Sequence, residues 1–237
     1  MDETIKIPFF CTHVKIDIGL STTAPSSNKW LIKEPDVFVI GFEPNSQCCN
    51  MILNSQFPET PFPDFNLEKR FIDEGRFQLF QYALSDVEDL QIQNFYINKN
   101  DCGTSSLYKH SQTILGPIER IENIKVINLK MFFDIFPWDR FEYIDYIKID
   151  AQGSDLNILK GAKDYLKEKV VYVTAEPDGH YYEGSEDCNE ENLNSYMESQ
   201  GFIRINHHNT MDPTYINSKF LHLKDKIWIH QSGPWPC

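Results

Sequence analysis

At 237 residues, with 41% hydrophobic and 14% aromatic side chains, the chain has the length of one large domain and enough apolar surface for a sizeable core, which excludes a disordered polymer. Thirty-five acidic residues against 22 basic ones leave a formal charge of −13 at pH 7. That balance argues against a nucleic-acid surface, which needs clustered Lys and Arg to track phosphates, and no run of about 18 apolar residues is present to span a membrane.

In chain order, an apolar run at 14–18 reads as the first buried strand, and Pro25–Lys33 as a short helix with proline in its first turn. Val37–Phe42 is the second strand and Ser46–Asn54 the helix after it. The Pro- and Phe-rich stretch 55–75 reads as a surface excursion. A third strand is expected over 77–84, an added strand over 90–97 and an edge strand over 125–129. Ile144–Ile149 and residues 170–175 are near-continuous apolar runs, as central parallel strands should be. One crossover helix is expected between them, over 154–169, with Ser154 as its N-cap. A helix at Glu190–Ser199 ends before Gly201, in the position glycine favours. Residues 202–206 and 220–229 are expected to close the fold as an antiparallel pair. Strands alternating with helices imply a single α/β domain, an open and mostly parallel sheet with helices on both faces and an antiparallel C-terminal strand.

The most informative stretch is 146–160, YIKIDAQGSDLNILK. An apolar run delivers Lys148 and Asp150 to its far end, and Gly153 turns into a helical pattern. Open α/β sheets place their ligands at such corners. Two further acidic corners lie upstream, VKIDIG at 14–19 and FVIGFEPN at 38–45. Glu43 follows Asp17 by 26 positions, close to the roughly 20-residue spacing at which an acid meets ribose hydroxyls. A nucleoside across the ends of the first two strands is therefore expected. The loop after Gly19 carries Ser21, Thr22 and Thr23, without the G-x-G-x-x-G of a dinucleotide site.

Taken together, DIG at 17–19, GFEPN at 41–45, YALSD at 82–86 and KIDAQGSDLNILKGA at 148–162 resemble the FkbM family of S-adenosylmethionine-dependent methyltransferases, from about residue 14 to 217. The resemblance implies a Rossmann-like class I methyltransferase fold and O-methylation of a hydroxyl on a sugar, glycan or natural product, with a deoxyhexose such as rhamnose first in line. It implies that Asp17, Gly19 and Leu20 sit at the methionine part of the cofactor, with Ser21 among the cofactor-binding residues. Glu43 would hold the ribose, Pro44 and Asn45 would shape that pocket, and Ala83, Leu84 and Ser85 would face the adenine. The chain departs from the family pattern in the Leu-Ser-Thr-Thr loop after Gly19, in Gln152, where Glu is common, and in Asp155, where a longer Glu is common.

Methyl transfer from a sulfonium needs an aligned hydroxyl and an acceptor for its proton. Asp150 and Glu176, at the ends of neighbouring strands, are the catalytic candidates, with Lys148 beside them and His180 in the following EPDGH segment. Asp150, Glu176 and Asp178 would also suit a Mg2+ or Mn2+ ion. Trp30, Tyr108, Tyr181, Tyr182 and Tyr215 offer rings for a carbohydrate, and residues 98–110 read as a loop covering the cofactor. His207 and His208 point to opposite faces if the strand continues, and read as surface. Six scattered cysteines without a C-x-x-C pair, and two acids among the first residues, fit reduced thiols and a cytoplasmic location. The rival readings are a catalytically inactive S-adenosylmethionine-binding interaction module and an NAD-dependent oxidoreductase.

Overall fold

The computed structural model describes residues 4–57, 65–206 and 212–229. Five parallel strands form the centre of the main sheet: β1 (His13–Ile18), β2 (Val37–Phe42), β3 (Phe77–Phe80), β8 (Ile144–Ile149) and β9 (Val170–Thr174). Two later strands, β11 (Phe202–Arg204) and β12 (Thr214–Asn217), complete the order β11-β12-β9-β8-β1-β2-β3. β12 runs antiparallel to both its neighbours. The chain thus leaves β1 towards one edge and returns through β8 towards the other, which makes the β1/β8 junction the switch point of the sheet.

Every residue of β2 is buried, because helices cover both faces. On one face Val14, Ile16, Ile18, Phe38, Ile40 and Phe42 pack with residues of α4 (Leu129–Phe133), α5 (Asp155–Gly161) and α7 (Glu190–Ser199). On the other, Val37 and Val39 pack with α1 (Pro25–Lys33), α2 (Ser46–Asn54) and α3 (Lys69–Asp73). Lys15 points to that second face and is fully buried. Its ammonium pairs with Glu34, donates to the carbonyl of Trp228 at 2.7 Å and lies 5.2 Å from the centre of the Trp228 ring. Five cysteines are free thiols among the described residues.

Several elements differ from the sequence expectation. The strand expected over 77–84 is two: the Tyr82 amide bonds to the Phe80 carbonyl, and this tight turn sends β4 (Ala83–Leu84) into a second sheet. There β7 (Ile118–Ile127) pairs in parallel with β4 and in antiparallel with β5 (Gln91–Asn98). The edge strand expected at 125–129 is therefore the end of a longer strand, stopped where the Asn128 side chain caps α4 by accepting from the Met131 amide. The single helix expected over 154–169 breaks into α5 and α6 (Asp164–Lys169), because Lys163 adopts φ 52°, ψ −138°. No strand forms over 220–229. Asn217 accepts from the Lys219 amide and donates to the Val170 carbonyl, turning the chain into a 3-10 segment, Ser218–Leu223, whose Phe220 and Leu223 enter the second core. The excursion at 55–75 contains α3, with 58–64 outside the described residues, and His207 and His208 also lie outside them.

Candidate active site at the strand ends

Four acidic or glycine-bearing strand ends line up along one rim, in the order Glu43, Gly19, Asp150, Glu176, because β2, β1, β8 and β9 are neighbours in register. Gly19 has φ 81°, and a Cβ on it would lie 1.9 Å from the Asp150 carbonyl oxygen. Only glycine lets these two strand ends meet so closely. Two adjoining clefts open here, and both are lined by Gly19, Ser21, Gly103, Asp150 and Gln152.

The first cleft holds about 560 Å³ of empty space, its open mouth included. Its walls are Ile18, Phe42, Pro44, Tyr82, Ala83, Leu84, Phe95 and Leu107, and the Glu43 carboxylate is set among them. Glu43 accepts the Ser21 amide on Oε2 and the Asn45 amide on Oε1, each at 2.9 Å. Burial pushes its carboxyl up to about 8 against these stabilising amides. Two hydroxyls on neighbouring carbons would supply further donors to such a carboxylate, and a flat heterocycle would suit the apolar walls. The residues present therefore fit the nucleoside of S-adenosylmethionine, with Glu43 to hold the ribose.

Not every residue expected at this pocket reaches it. Asp17 is 1% exposed and turns into α1, where its Oδ2 accepts the Ser27 amide at 3.0 Å and the Ser27 hydroxyl at 2.6 Å. It serves as a remote cap for a helix whose own N-cap, Ala24, has no side-chain acceptor. Asn45 is fully buried and caps α2 through the Gln47 and Cys48 amides. Ser85 falls outside the lining of both clefts, its amide bonded to the Ile127 carbonyl. Leu20 lines the second cleft, with Ser21 between the two. The 98–110 segment does reach the site: Cys102, Gly103, Ser105 and Leu107 line the first cleft. Phe95, on β5, and Tyr82, in the turn before β4, also line this cleft, and no local sequence pattern marks which ring will meet a ligand.

The second cleft is the polar one, lined by Lys148, Asp150, Gln152 and Glu176 together with Asp101, Thr104, Phe65 and Asp212. Lys148 donates to Asp150 Oδ2 at 3.0 Å and Gln152 Nε2 to Asp150 Oδ1 at 2.7 Å. Burial works against the Asp150 charge, but Lys148 and the hydrogen bonds outweigh it and hold this carboxyl below its ordinary value. Glu176 is pushed the other way, to about 10, by burial and by the charge of Asp150. The rim thus holds one ionised and one protonated carboxyl side by side at neutral pH.

His180 does not join them. It is exposed, packs against Tyr181 with ring centres 3.8 Å apart and planes tilted by 43°, and lines a separate groove with His110 and Glu186. Among the proposed sugar-stacking rings, Trp30, Tyr182 and Tyr215 are buried, and Tyr108 accepts a hydrogen bond from Asn157; none of these lines the second cleft. Nor do Asp150, Glu176 and Asp178 assemble as a trio of cation ligands. Among the described residues, the ligand atoms that gather within 4.8 Å are those of Asp155, Asp178 and Cys188. Asp155 spends both oxygens on the amides of Ala151 and Glu176, and Asp178 accepts the Gly153 amide. Asp150 is outside that gathered set and already carries the Lys148 ammonium, a competing positive charge, so the arrangement does not fit a metal centre.

A sequence profile of the methyltransferase FkbM domain matches residues 32–220. The chain belongs to the FkbM methyltransferase family. This span of the FkbM protein begins after the first corner, so Gly19 and Ser21 lie upstream of the matched residues, while Glu43, Asp150 and Glu176 lie within them. No curated protein matches the sequence. A solved structure, the human methyltransferase 10 domain containing protein, is similar over 90% of this chain and 72% of its own at 12% identity, with a TM-score of 0.35, too low to bear on fold or function.

Proposed function

We propose that this FkbM-family methyltransferase transfers the methyl group of S-adenosylmethionine to a hydroxyl oxygen of a sugar, on a glycan or a deoxyhexose such as rhamnose, within a Rossmann-like class I fold. The observation that carries the reading is the position of Asp150, on the lip shared by an apolar cleft with a buried carboxylate and a polar cleft lined by carboxylates and amides. Bound S-adenosylmethionine supplies an already activated methyl group, so the protein's task is to orient the acceptor and take its proton. Glu43 would bind the ribose hydroxyls. Asp150, ionised beside Lys148, would accept the hydroxyl proton at a carboxylate oxygen, while protonated Glu176 and the Gln152 amide orient the acceptor. Carboxylates and amides are the partners that the several hydroxyls of a sugar need.

The reading is tested by incubating the protein with S-adenosylmethionine labelled in its methyl group and a panel of neutral mono- and oligosaccharides, deoxyhexoses included. Label appearing as a methyl ether is the expected result. Tight S-adenosylhomocysteine binding with no transfer to any hydroxyl would favour a binding module without catalysis.

A further inference from the structure

Gln152 is one of few non-glycine residues with a left-handed backbone, φ 52°, and its side chain is bonded at both ends. Its Oε1 accepts the Tyr182 hydroxyl. Its Nε2 donates to Asp150 Oδ1 at 2.7 Å and lies 3.4 Å from Glu176 Oε2. The amide orientation has a single consistent solution. Reversed, it would set Oε1 against the Asp150 carboxylate, two acceptors face to face.

Tyr182 belongs to β10 (Tyr182–Glu183), which pairs with β6 (Lys109–His110) outside the main sheet. It is 2% exposed, and burial, followed by the charges of Asp178, Glu176 and Asp150, raises its phenol so that the hydroxyl remains a donor. The backbone makes room for it: a Cβ on Gly153, φ 88°, would come within 3.1 Å of the Tyr182 ring and 2.5 Å of Ser185 Oγ. Ser106 secures the same corner by donating to the Gln152 carbonyl at 2.6 Å.

We propose that Tyr182 is a positioning residue for methyl transfer, fixing the Gln152 amide so that its N–H groups face Asp150 and Glu176 and hold Asp150 as the proton acceptor. The inference rests on the hydroxyl-transfer reading for its catalytic meaning, but the contact can be tested without any acceptor. In Tyr182→Phe the amide loses its anchor and is free to rotate away from Asp150. Asp150 then loses a hydrogen bond to its charged form, and its titration moves up.

The experiment follows the Asp150 carboxyl by 13C NMR in wild type, Tyr182→Phe and Gln152→Leu, each saturated with S-adenosylhomocysteine. The expected result is an upward shift in both variants, similar in size, with the ligand's Kd unchanged within about threefold. Gln152→Leu removes the amide itself and sets the shift that its full loss produces, so that if Tyr182→Phe does not fold an unmoved Asp150 in Gln152→Leu still overturns the proposal. An unmoved Asp150 titration in Gln152→Leu, or in a folded Tyr182→Phe, overturns the proposal. Shifts in both variants, with no saccharide methylated by wild type, would sink the sugar reading and leave the positioning role standing.

Discussion

Glu43 and Ser21 are joined across two strand ends, the carboxylate of one accepting the amide of the other at 2.9 Å. The bond ties the loop after β1 to the end of β2 and aims a buried carboxylate along the apolar cleft. On the proposed reading, Glu43→Ala would remove the acceptor for both ribose hydroxyls. With each hydrogen bond to a charged group contributing about 1.5–3 kcal/mol, S-adenosylhomocysteine binding should weaken by on the order of 100-fold or more, read by calorimetric titration.

On the same reading, this carboxyl should make ligand binding pH-dependent. Hydroxyl donors favour its ionised form, so below about 8 binding must expel a proton. Affinity should rise as pH increases from 6 to 8 and then level off. Calorimetry in buffers of different ionisation enthalpy should detect about one proton released at pH 7. A pH-independent Kd would show that Glu43 does not contact the ligand in its charged form.

Stability of the ligand-free protein should run in the opposite direction. Burial raises Asp145 to about 6, Asp178 to about 7 and Glu43 to about 8. Between the ordinary carboxyl range and these values the folded chain holds protons that the unfolded chain has lost, so raising the pH favours unfolding. The melting temperature should fall steadily from pH 5 to 8, and bound S-adenosylhomocysteine should reduce that slope.

Asp150→Asn keeps the size of the side chain and removes its charge. Methyl transfer should fall by about a thousandfold or more, with ligand affinity changed only a few-fold. Lys148 would then lack its nearest counter-charge. Because Asp150 already pairs with the Lys148 ammonium and belongs to no gathered set of cation ligands among the described residues, EDTA should leave the wild-type rate unchanged; recovery of lost activity by Mn2+ would contradict this.

Gly19→Ala tests the contact at the switch point. Its Cβ would fall 1.9 Å from the Asp150 carbonyl oxygen at a φ of 81°, so the strand ends must part. A loss of about 3 kcal/mol or more in urea unfolding is expected, together with loss of ligand binding.

The central strands were legible because continuous apolar runs such as 144–149 can be buried only between two layers. The corners were legible because acids follow those runs directly. What the sequence did not disclose is where each acid points. Asp17 and Glu43 sit at similar places in the pattern, yet one turns into a helix terminus and the other into the cleft. Asn45 has the helix-capping signature of its type, which competes with any reading as a pocket residue. Breaks such as that at Lys163 depend on packing, since Gly161 lies against the Ser85 carbonyl from a distant part of the chain. The orientation of Gln152 depends on Tyr182, thirty positions later, and no local pattern carries that information.

The ammonium of Lys15, enclosed between Glu34 and Trp228, makes the far end of the chain a clasp on the first strand. A cut just before Trp228 would leave a buried cation short of a carbonyl and an aromatic face, on the strand that leads into Gly19. That strand, six residues long, runs from the clasp to the apolar cleft. Protease trimming or a fusion joint in this stretch should therefore be felt as weakened ligand binding, at a place that never touches the ligand.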